Sequence, residues 1–566
     1  MSRKKIPYGI SNFEALITQN YYYVDKTRHL EILENLSEKY ISFFRPRRFG
    51  KSLFASMLSH YYDKAGAARF EELFGNLYIG KNPTPLKNSY YILKFNFSGI
   101  NVDSSQRTYN DFKASITSSI LDFVNHYQLK AGFWDSENTP NGILSGFFSA
   151  VKPQLSGKIF VIIDEYDHFT SELLGYNKSL FDEVVSQSGY FRKFFEVLKI
   201  GTESIIDRIF FTGVNPFTLD SLTSGFNIST NLTLAPELQD MLGFSESEIK
   251  KMFFDFGVSE EDFSNLLPVL KNNFDGYKFL EDSEGSLYNS DMVLYFARDY
   301  LTKGRYPKNL IDENIASSYA KIKRFTELGD RDENLAFIRD LIENKDCSMA
   351  LTTKFEVSHR FTADDFKSLF FYMGLVTITG YELNVYKIKI PNYVIREVYY
   401  SFFESILNEA GQYSIDSTHI ATSVISIAKH GDIGPLIKIT EASLNKLSNR
   451  DFIRFDEKYV KLIMLTYLFL SKIYYIKTEY EVEDGYIDIA LLPRINVKAP
   501  NHAIIELKYI SKEKFSDTLL QEKIAEARNQ IQKYNTSEEL KNTSNLLKFV
   551  VVFSGEECVH WEQVSS

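Results

Sequence analysis

Residues 45–52 read Arg-Pro-Arg-Arg-Phe-Gly-Lys-Ser, and this stretch decides how the first part of the chain folds. It follows an apolar run at 40–44 and precedes apolar residues at helical spacing: Leu53, Met57, Leu58 and Tyr61. A strand, a loop ending in Gly-Lys-Ser and a helix form the usual setting of a phosphate-binding loop. Arg45 stands where that pattern has its first glycine, so the stretch alone also fits a basic turn that caps a buried helix.

A second stretch, Ile-Phe-Val-Ile-Ile-Asp-Glu at 159–165, supports the phosphate loop. Five successive apolar residues predict a strand that is buried on both faces. At the end of such a strand, Asp164 is expected near Mg²⁺ and Glu165 near the attacking water. Thr212 or Asn215, at the end of another predicted strand, is a candidate to sense the terminal phosphate, although a plain strand ending explains them equally well.

The composition excludes several classes of protein. A chain of 566 residues is too long for one hydrophobic core, so about three domains are expected. No run approaches the roughly 18–20 apolar residues that span a bilayer. Two cysteines rule out a disulfide framework and fit a reducing cytoplasm. The net charge of −10 argues against a surface covered in nucleic-acid-binding residues, but it permits a local basic patch.

The pattern of apolar residues predicts an α/β protein with four regions. Alternating strands and helices in the first region predict a largely parallel sheet. In the third region a helical stripe ends at Gly374 and two strand-like runs follow, which suits a winged helix and fits an ordinary packing domain nearly as well. The predicted regions are 1–235 (phosphate-loop domain), 236–330 (helical and lid-like), 331–430 (winged-helix-like) and 431–566 (C-terminal α/β domain).

The C-terminal region carries a pattern typical of metal-dependent nucleases. Asp488 lies in one predicted strand, and Glu506 and Lys508 lie two residues apart in the next, where the period of two places them on the same face. Carboxylates at such positions hold a divalent metal, and a lysine positions or deprotonates water. Gln530 and Tyr534 follow in a predicted helix, although an exposed glutamine and a buried tyrosine one turn apart would give the same pattern.

A further metal ligand is harder to choose from sequence. Glu483 is one candidate, but Glu479, Glu481 and Asp484 crowd the same stretch. An acid-x-Lys pair also occurs on ordinary solvated strands. The metal ligands expected at this end of the chain are therefore Asp488 and Glu506.

Taken together, the motifs resemble the AAA-ATPase-like proteins of bacteria over nearly the whole chain. The residues that carry the resemblance are 23–27 (Tyr-Val-Asp-Lys-Thr), 45–52, 163–167 (Ile-Asp-Glu-Tyr-Asp), 231–233 (Asn-Leu-Thr), 243–244 (Gly-Phe) and 275–277 (Asp-Gly-Tyr). That family has an arginine-rich loop in place of the glycine-first form and commonly carries a C-terminal PD-(D/E)XK nuclease-like domain. The resemblance implies a P-loop ATPase of the STAND/AAA kind. The expected nucleotide-binding residues are Arg45, Arg47, Arg48, Gly50, Lys51, Ser52, Asp164, Thr212 and Asn215, with Ser52 and Asp164 on Mg²⁺.

Three hypotheses of function follow from these observations. The first is an enzyme that binds and hydrolyses ATP and is coupled to a Mg²⁺-dependent endonuclease or exonuclease acting on DNA, with Mn²⁺ an option at the nuclease site. In it Glu165, Asp488, Glu506, Lys508, Gln530 and Tyr534 serve catalysis. The second is an ATP-driven regulatory switch whose nuclease-like domain binds nucleic acid or protein without cutting it. The third is an interaction protein with vestigial sites. All three are expected to be cytoplasmic, with no membrane partner; homo-oligomers and protein partners stay open.

Overall fold

The computed structural model describes residues 4–130, 139–216, 226–312, 322–355, 361–411, 416–447, 457–482, 485–534, 540 and 543–564. The chain divides into two compact units. The first comprises Met1–Arg305 and Asn309–Ile395, and the second comprises Tyr306–Lys308 and Arg396–Ser566. The boundary at 395/396 lies inside the region 331–430, and the finer division into four regions stays a prediction.

A five-stranded parallel sheet forms the centre of the first unit. Its strands are β1 Tyr40–Phe44, β2 Tyr91–Asn96, β3 Ile159–Asp164, β4 Ile206–Gly213 and β5 Thr230–Asn231. Their order is β2-β3-β4-β1-β5, and every neighbouring pair is parallel. All six residues of β3 are buried, as its apolar run predicts. The parallel α/β sheet expected from the sequence is confirmed.

Helices cover this sheet and make up most of the rest of the first unit. The helix α3 begins at Lys51, directly after the phosphate-loop sequence. A capping box between Ser245 and Glu248 starts α11, as the Ser-Glu-Ser-Glu stretch indicates. Up to residue 372 the described helices are α1 Phe13–Thr18, α2 Arg28–Asn35, α3 Lys51–Tyr62, α4 Phe70–Phe74, α5 Tyr78–Lys81, α6 Ser105–His126, α7 Pro140–Val151, α8 His168–Tyr176, α9 Lys178–Val185, α10 Tyr190–Thr202, α11 Glu246–Asp255, α12 Glu260–Phe274, α13 Ser290–Lys303, α14 Ile322–Phe325, α15 Arg331–Ile342 and α16 Ala363–Tyr372.

The strands of a small antiparallel sheet flank the helix α16 in the sequence. The sheet consists of β6 Cys347–Met349, β7 Thr377–Glu382 and β8 Val385–Lys389 in the order β6-β8-β7. The helix and hairpin expected here are present. The first turn of α16 carries Asp364 and Asp365, so this helix lacks the basic start that would attract nucleic-acid phosphates.

The second unit is built on a mixed sheet of five strands. They are β9 Tyr475–Val482, β10 Gly485–Leu492, β11 His502–Ile510, β12 Leu546–Ser554 and β13 Glu557–Gln563, in the order β13-β12-β11-β10-β9. Only β11 and β12 pair in parallel, because a helix connects them. The helices from residue 393 onward are α17 Tyr393–Gly411, α18 Ser417–His430, α19 Gly434–Leu447, α20 Glu457–Ser471 and α21 Asp517–Lys533.

The core of the second unit lies between this sheet and α21. Buried Ile524, Ala527 and Ile531 of α21 pack against Ile504 and Val550 of the central strands. None of the helices in the described part of the chain combines the length and the apolar character that a membrane span requires.

Candidate functional site

The loop between β1 and α3 turns sharply before the helix begins. Two of its residues adopt left-handed backbone angles, Arg48 with φ 70° and Gly50 with φ 96°. Glycine reaches this region without a steric cost, whereas an arginine is strained there. A strained backbone persists only where surrounding contacts hold it. Contacts from other parts of the chain are therefore expected at this loop.

The loop is held by residues about 240 positions later in the sequence. The carbonyl of Arg48 accepts hydrogen bonds from Ser290 Oγ (3.1 Å) and from the Asp291 amide (3.3 Å). The carbonyl of Arg47 accepts one from Asn289 Nδ2 (3.2 Å). The Arg48 guanidinium also lies 3.3 Å from Asp291 Oδ2. The start of α13 therefore fixes the conformation of the loop.

Lys51 is buried beneath this loop. Its ammonium donates to the carbonyls of Arg45 and Pro46, at 2.9 Å each. Burial lowers the pKa of Lys51 to about 8, although the nearby carboxylates, Glu165 foremost, oppose the shift. A cation that is poorly solvated in this way gains much from a polyanionic ligand.

Ser52 and Asp164 meet at the carboxyl end of β3. The Ser52 hydroxyl donates a hydrogen bond to the Asp164 carboxylate, and burial raises the pKa of that carboxylate. Hydroxyl and carboxylate oxygens are the donors that Mg²⁺ prefers, so this pair fits the expected ion. Asp164 Oδ1 also accepts from the Glu165 amide (3.0 Å), and Glu165 has a left-handed φ of 50°. This strained turn directs the chain abruptly out of the strand at the residue expected to activate water.

A cavity of about 430 Å³ opens above the loop and is large enough for a nucleotide. The phosphate-loop side is lined by Arg47, Arg48, Gly50, Lys51 and Ser52, together with Glu165. The remaining walls come from the N-terminal segment and from the residues before α11 and along α13. They include Pro7, Gly9, Ile10, Tyr22, Tyr23, Val24, Met241, Leu242, Phe244 and Leu294.

Arg45 belongs to the fold and not to the cavity lining, in contrast to the expectation from the sequence. Its side chain is completely buried, with the guanidinium 4.3 Å from the ring centre of Phe43 and 4.0 Å from that of Phe279. The guanidinium donates to the carbonyls of Phe44 (3.0 Å) and Thr233 (2.8 Å). Burial lowers the pKa of Arg45 to about 9. Arg45, at the position of the first glycine, thus stabilises the loop from its buried side.

Of the two candidate phosphate sensors, Asn215 lines one of the two cavities described here, and Thr212 lines neither. Thr212 is buried and its hydroxyl donates to the carbonyl of Phe43 (2.7 Å). Asn215 is also buried, lines a second cavity of about 50 Å³, and its Oδ1 has no hydrogen-bond partner among the described residues.

Asp167 and His168, which the sequence motifs did not single out as site residues, organise the same corner. The buried Asp167 carboxylate accepts hydrogen bonds from the amides of Val214 (3.0 Å) and Asn215 (2.7 Å). Burial raises the pKa of Asp167. His168 begins α8 and lines both cavities. The signal in the sequence was the position of both residues directly after Asp164-Glu165-Tyr166.

In the second unit the structure brings the predicted nuclease residues together. Asp488 Oδ2 accepts from the amide of Leu507 (2.9 Å), which joins β10 to β11 beside the acid-x-Lys pair. Lys508 Nζ lies 2.8 Å from Glu506 Oε1. Tyr534 donates its hydroxyl hydrogen to the Tyr486 carbonyl (2.7 Å) and lies 3.3 Å from Glu506 Oε2.

Burial and neighbouring charges shift the pKa values of Glu506 and Lys508. Burial and the charge of Asp488 raise the pKa of Glu506 to about 7. Burial would lower the pKa of Lys508, but its hydrogen bond to Glu506 and the surrounding carboxylates raise it. Gln530 is half-buried on α21, and its Oε1 has no hydrogen-bond partner among the described residues. This oxygen is itself buried.

The helix α20 contributes two residues that the sequence motifs missed. Lys461 Nζ lies 3.2 Å from Asp488 Oδ1 and also pairs with Glu479. Glu457 lies one turn earlier, and burial together with the charge of Asp488 raises its pKa. The sequence feature that could have identified them is a glutamate and a lysine four residues apart in a largely apolar helix.

The donor set fits a divalent cation in part. Asp488 and Glu506 supply the carboxylate oxygens that Mg²⁺ and Mn²⁺ prefer. Within the ranges that the structure describes, no group of three or more His, Cys, Asp or Glu side chains is arranged to hold a metal ion. Lys461 already neutralises one oxygen of Asp488. Glu483 lies outside the described residues.

The folds and sites define a P-loop type nucleotide-binding domain and a nuclease-type domain in one chain. Comparison with known families agrees: residues 7–223 match the family described as predicted AAA-ATPase, and residues 455–563 match the PD-(D/E)XK nuclease superfamily. The chain thus carries an AAA-ATPase-like domain and a PD-(D/E)XK nuclease superfamily domain, the architecture expected from its motifs.

A curated relative is the "Uncharacterized protein in vnfD 5'region" of Azotobacter chroococcum mcd 1. It is 25% identical over 261 residues, which cover 45% of this chain and 45% of that protein. The chain therefore spans less than half the length of this relative, and the likeness supports common ancestry of a part and no particular activity.

Proposed function

We propose that the chain binds and hydrolyses ATP with Mg²⁺ in the first unit and cleaves DNA with a divalent metal in the second. The two matched domains suggest an ATPase and a nuclease-type enzyme. The observation that carries the proposal is that Lys51 and Ser52 line a cavity of nucleotide size, while the Ser52 hydroxyl bonds to the Asp164 carboxylate behind it.

In the proposed ATP site each polar group has a separate task. Lys51 binds the β- and γ-phosphates, and Arg47 with Arg48 adds positive charge at the rim. Ser52 and Asp164 hold Mg²⁺, which neutralises the phosphate oxygens when it is bound. Glu165 accepts a proton from the attacking water. Asn215 reaches the terminal phosphate from the neighbouring strand.

In the proposed nuclease site Asp488 and Glu506 hold Mg²⁺ or Mn²⁺, which supplies Lewis-acid chemistry at the scissile phosphate. Lys508 positions the attacking water beside Glu506. The Tyr534 hydroxyl lies beside Glu506 (3.3 Å), and half-buried Gln530 contacts the nucleic acid through the exposed part of its side chain. Support comes from the fold and from the convergence of these side chains.

A specific observation favours a second function, a regulatory switch whose nuclease-like domain binds nucleic acid in the cytoplasm without cutting it. Lys461 occupies an oxygen of Asp488, and a third carboxylate ligand is lacking among the described residues. In this function ATP binding changes the affinity for nucleic acid, and the site is a binding surface.

One experiment separates the two functions. Purified protein is incubated with single- and double-stranded DNA and with RNA, with and without ATP, in Mg²⁺ or Mn²⁺. The proposed enzyme cleaves DNA, Lys508→Ala abolishes cleavage, and Lys51→Ala abolishes ATP hydrolysis. Metal-independent binding without cleavage, equal in wild type and Lys508→Ala, supports the switch and contradicts the nuclease.

A further inference from the structure

The small cavity of about 50 Å³ adjoins the proposed ATP site. Arg47, Lys51, Glu165 and His168 line both this cavity and the large one. Its own walls add Asn215 on the polar side and Phe325 with Met373 on the apolar side. A space of this size holds one or two water molecules, and it lies where the phosphate end of a nucleotide would approach.

His168 is held at this place by the backbone. Its amide donates to the Glu165 carbonyl (3.1 Å), so the backbone of His168 is fixed relative to the acid at the end of β3. The side chain is 21% exposed, with Nε2 3.9 Å from Glu172 Oε1. The other ring nitrogen, Nδ1, is buried and has no hydrogen-bond partner among the described residues.

Two buried polar atoms without a partner among the described residues therefore belong to residues that line one small cavity. They are His168 Nδ1 and Asn215 Oδ1, and Asn215 is only 3% exposed. A buried polar atom that lacks a partner costs roughly 1–3 kcal/mol, so such atoms are rare unless water or a ligand satisfies them. Beside Glu165 in the cavity lining, the unpartnered Nδ1 of His168 indicates a site for an ordered water.

We propose that His168 is a catalytic residue of ATP hydrolysis, which holds the attacking water in the small cavity together with Glu165. The inference rests on the ATPase function proposed above. In the tautomer with its hydrogen on Nε2, the nitrogen that faces Glu172 Oε1 at 3.9 Å, Nδ1 carries the lone pair and accepts a hydrogen bond. The water donates one hydrogen to Nδ1 and the other to the Glu165 carboxylate, which leaves an oxygen lone pair for the γ-phosphorus.

The step balances without any further reactant. A bond forms between the water oxygen and the γ-phosphorus, and the bond from that phosphorus to the β,γ-bridging oxygen breaks. ADP leaves with the electron pair of the broken bond, and the proton from the water passes to the Glu165 carboxylate. His168 holds the water and fixes the direction of attack.

Substitutions of His168 test the position of the accepting atom. In His168→Asn the amide oxygen takes roughly the place of Nδ1, whereas in His168→Gln it takes roughly the place of Nε2. We expect His168→Ala and His168→Gln to lower kcat by roughly 100-fold, the usual scale for such groups, and His168→Asn to lower it by less than about tenfold. His126→Asn, at an exposed histidine of α6, serves as the control and should hydrolyse ATP like the wild type.

The readouts are kcat, ATP affinity from titration of a fluorescent analogue, and the melting temperature of each variant. The expected result is unchanged affinity and melting temperature with the graded loss of kcat. If wild type hydrolyses ATP and His168→Gln does so equally well, or if affinity falls in step with kcat, the inference about His168 is wrong and the ATPase stands. If wild type binds ATP without hydrolysing it, the proposed ATPase and this inference both fail.

Discussion

Gly213 packs directly against the carboxylate of Asp167. A β-carbon at position 213 would overlap Asp167 Oδ1 and would lie 2.7 Å from Cδ1 of Tyr166. The end of β4 can therefore approach the turn after β3 only because residue 213 lacks a side chain. This approach lets the amides of Val214 and Asn215 reach the Asp167 carboxylate.

Gly213→Ala should lower both the stability of the first unit and its affinity for ATP. Overpacking of this kind costs about 1–3 kcal/mol, and the shift of Asp167 displaces Glu165 and His168. Chemical denaturation and nucleotide titration measure the two effects. Gly99→Ala is the matched control, since a β-carbon there meets no atom within 4 Å. Equal behaviour of the two variants would contradict the assigned packing.

Lys51→Met should abolish ATP hydrolysis and also change how stability depends on pH. The pKa of Lys51 is about 8 in the folded protein and about 10.5 when unfolded, so between these values the unfolded chain binds more protons. Wild type should thus gain stability relative to the variant as pH rises from about 8 to 10.5, by about 2–3 kcal/mol. Denaturant titrations of both proteins at the two ends of this range give the difference, and a constant difference would contradict the buried cation.

Replacement of Arg45 by alanine should lower stability, whereas replacement of Arg47 by alanine should weaken ATP binding. Arg45→Ala leaves a cavity under the loop and removes the donor to two buried carbonyls, so we expect a loss of about 2–4 kcal/mol in stability. Arg47→Ala should leave stability within about 0.5 kcal/mol and weaken ATP binding by about tenfold, because its side chain lines the cavity. Thermal melting and nucleotide titration distinguish them. The reverse pattern would restore Arg45 as a phosphate ligand.

Lys461→Gln should strengthen metal binding in the second unit. The ammonium of Lys461 competes with a divalent cation for Asp488 Oδ1, so its removal should raise Mn²⁺ affinity by about tenfold. Calorimetric titration of Mn²⁺ provides the measurement. Lys533→Gln, at an exposed position of α21, should bind Mn²⁺ like wild type. Unchanged or weaker binding by Lys461→Gln would show that the lysine does not compete.

The parts of the site that the sequence predicts are those encoded locally. Gly50, Lys51 and Ser52 lie within three residues, and Asp164 and Glu165 directly end an apolar strand. The role of Arg45 could not be predicted, because it depends on Phe279 and Thr233, which approach only in the fold. The same holds for Lys461, which in sequence merely interrupts an apolar helix.

The proposed role of His168 could be predicted from the sequence only in part. Its residue type and its place after the acidic pair are visible in the sequence. That one ring nitrogen lacks a partner follows only from the packing of β4 and α8, and from the cavity between them.

The hydrogen bonds from Ser290 and Asp291 to the Arg48 carbonyl have a thermodynamic consequence. A molecule whose binding shifts those bonds must also change the affinity of the loop for its phosphate ligand. Because linkage is reciprocal, the phosphate ligand then alters the affinity for that molecule by the same factor. Through the first turn of α13, binding of one molecule there would thus be coupled to binding of another at the loop, without contact between the two.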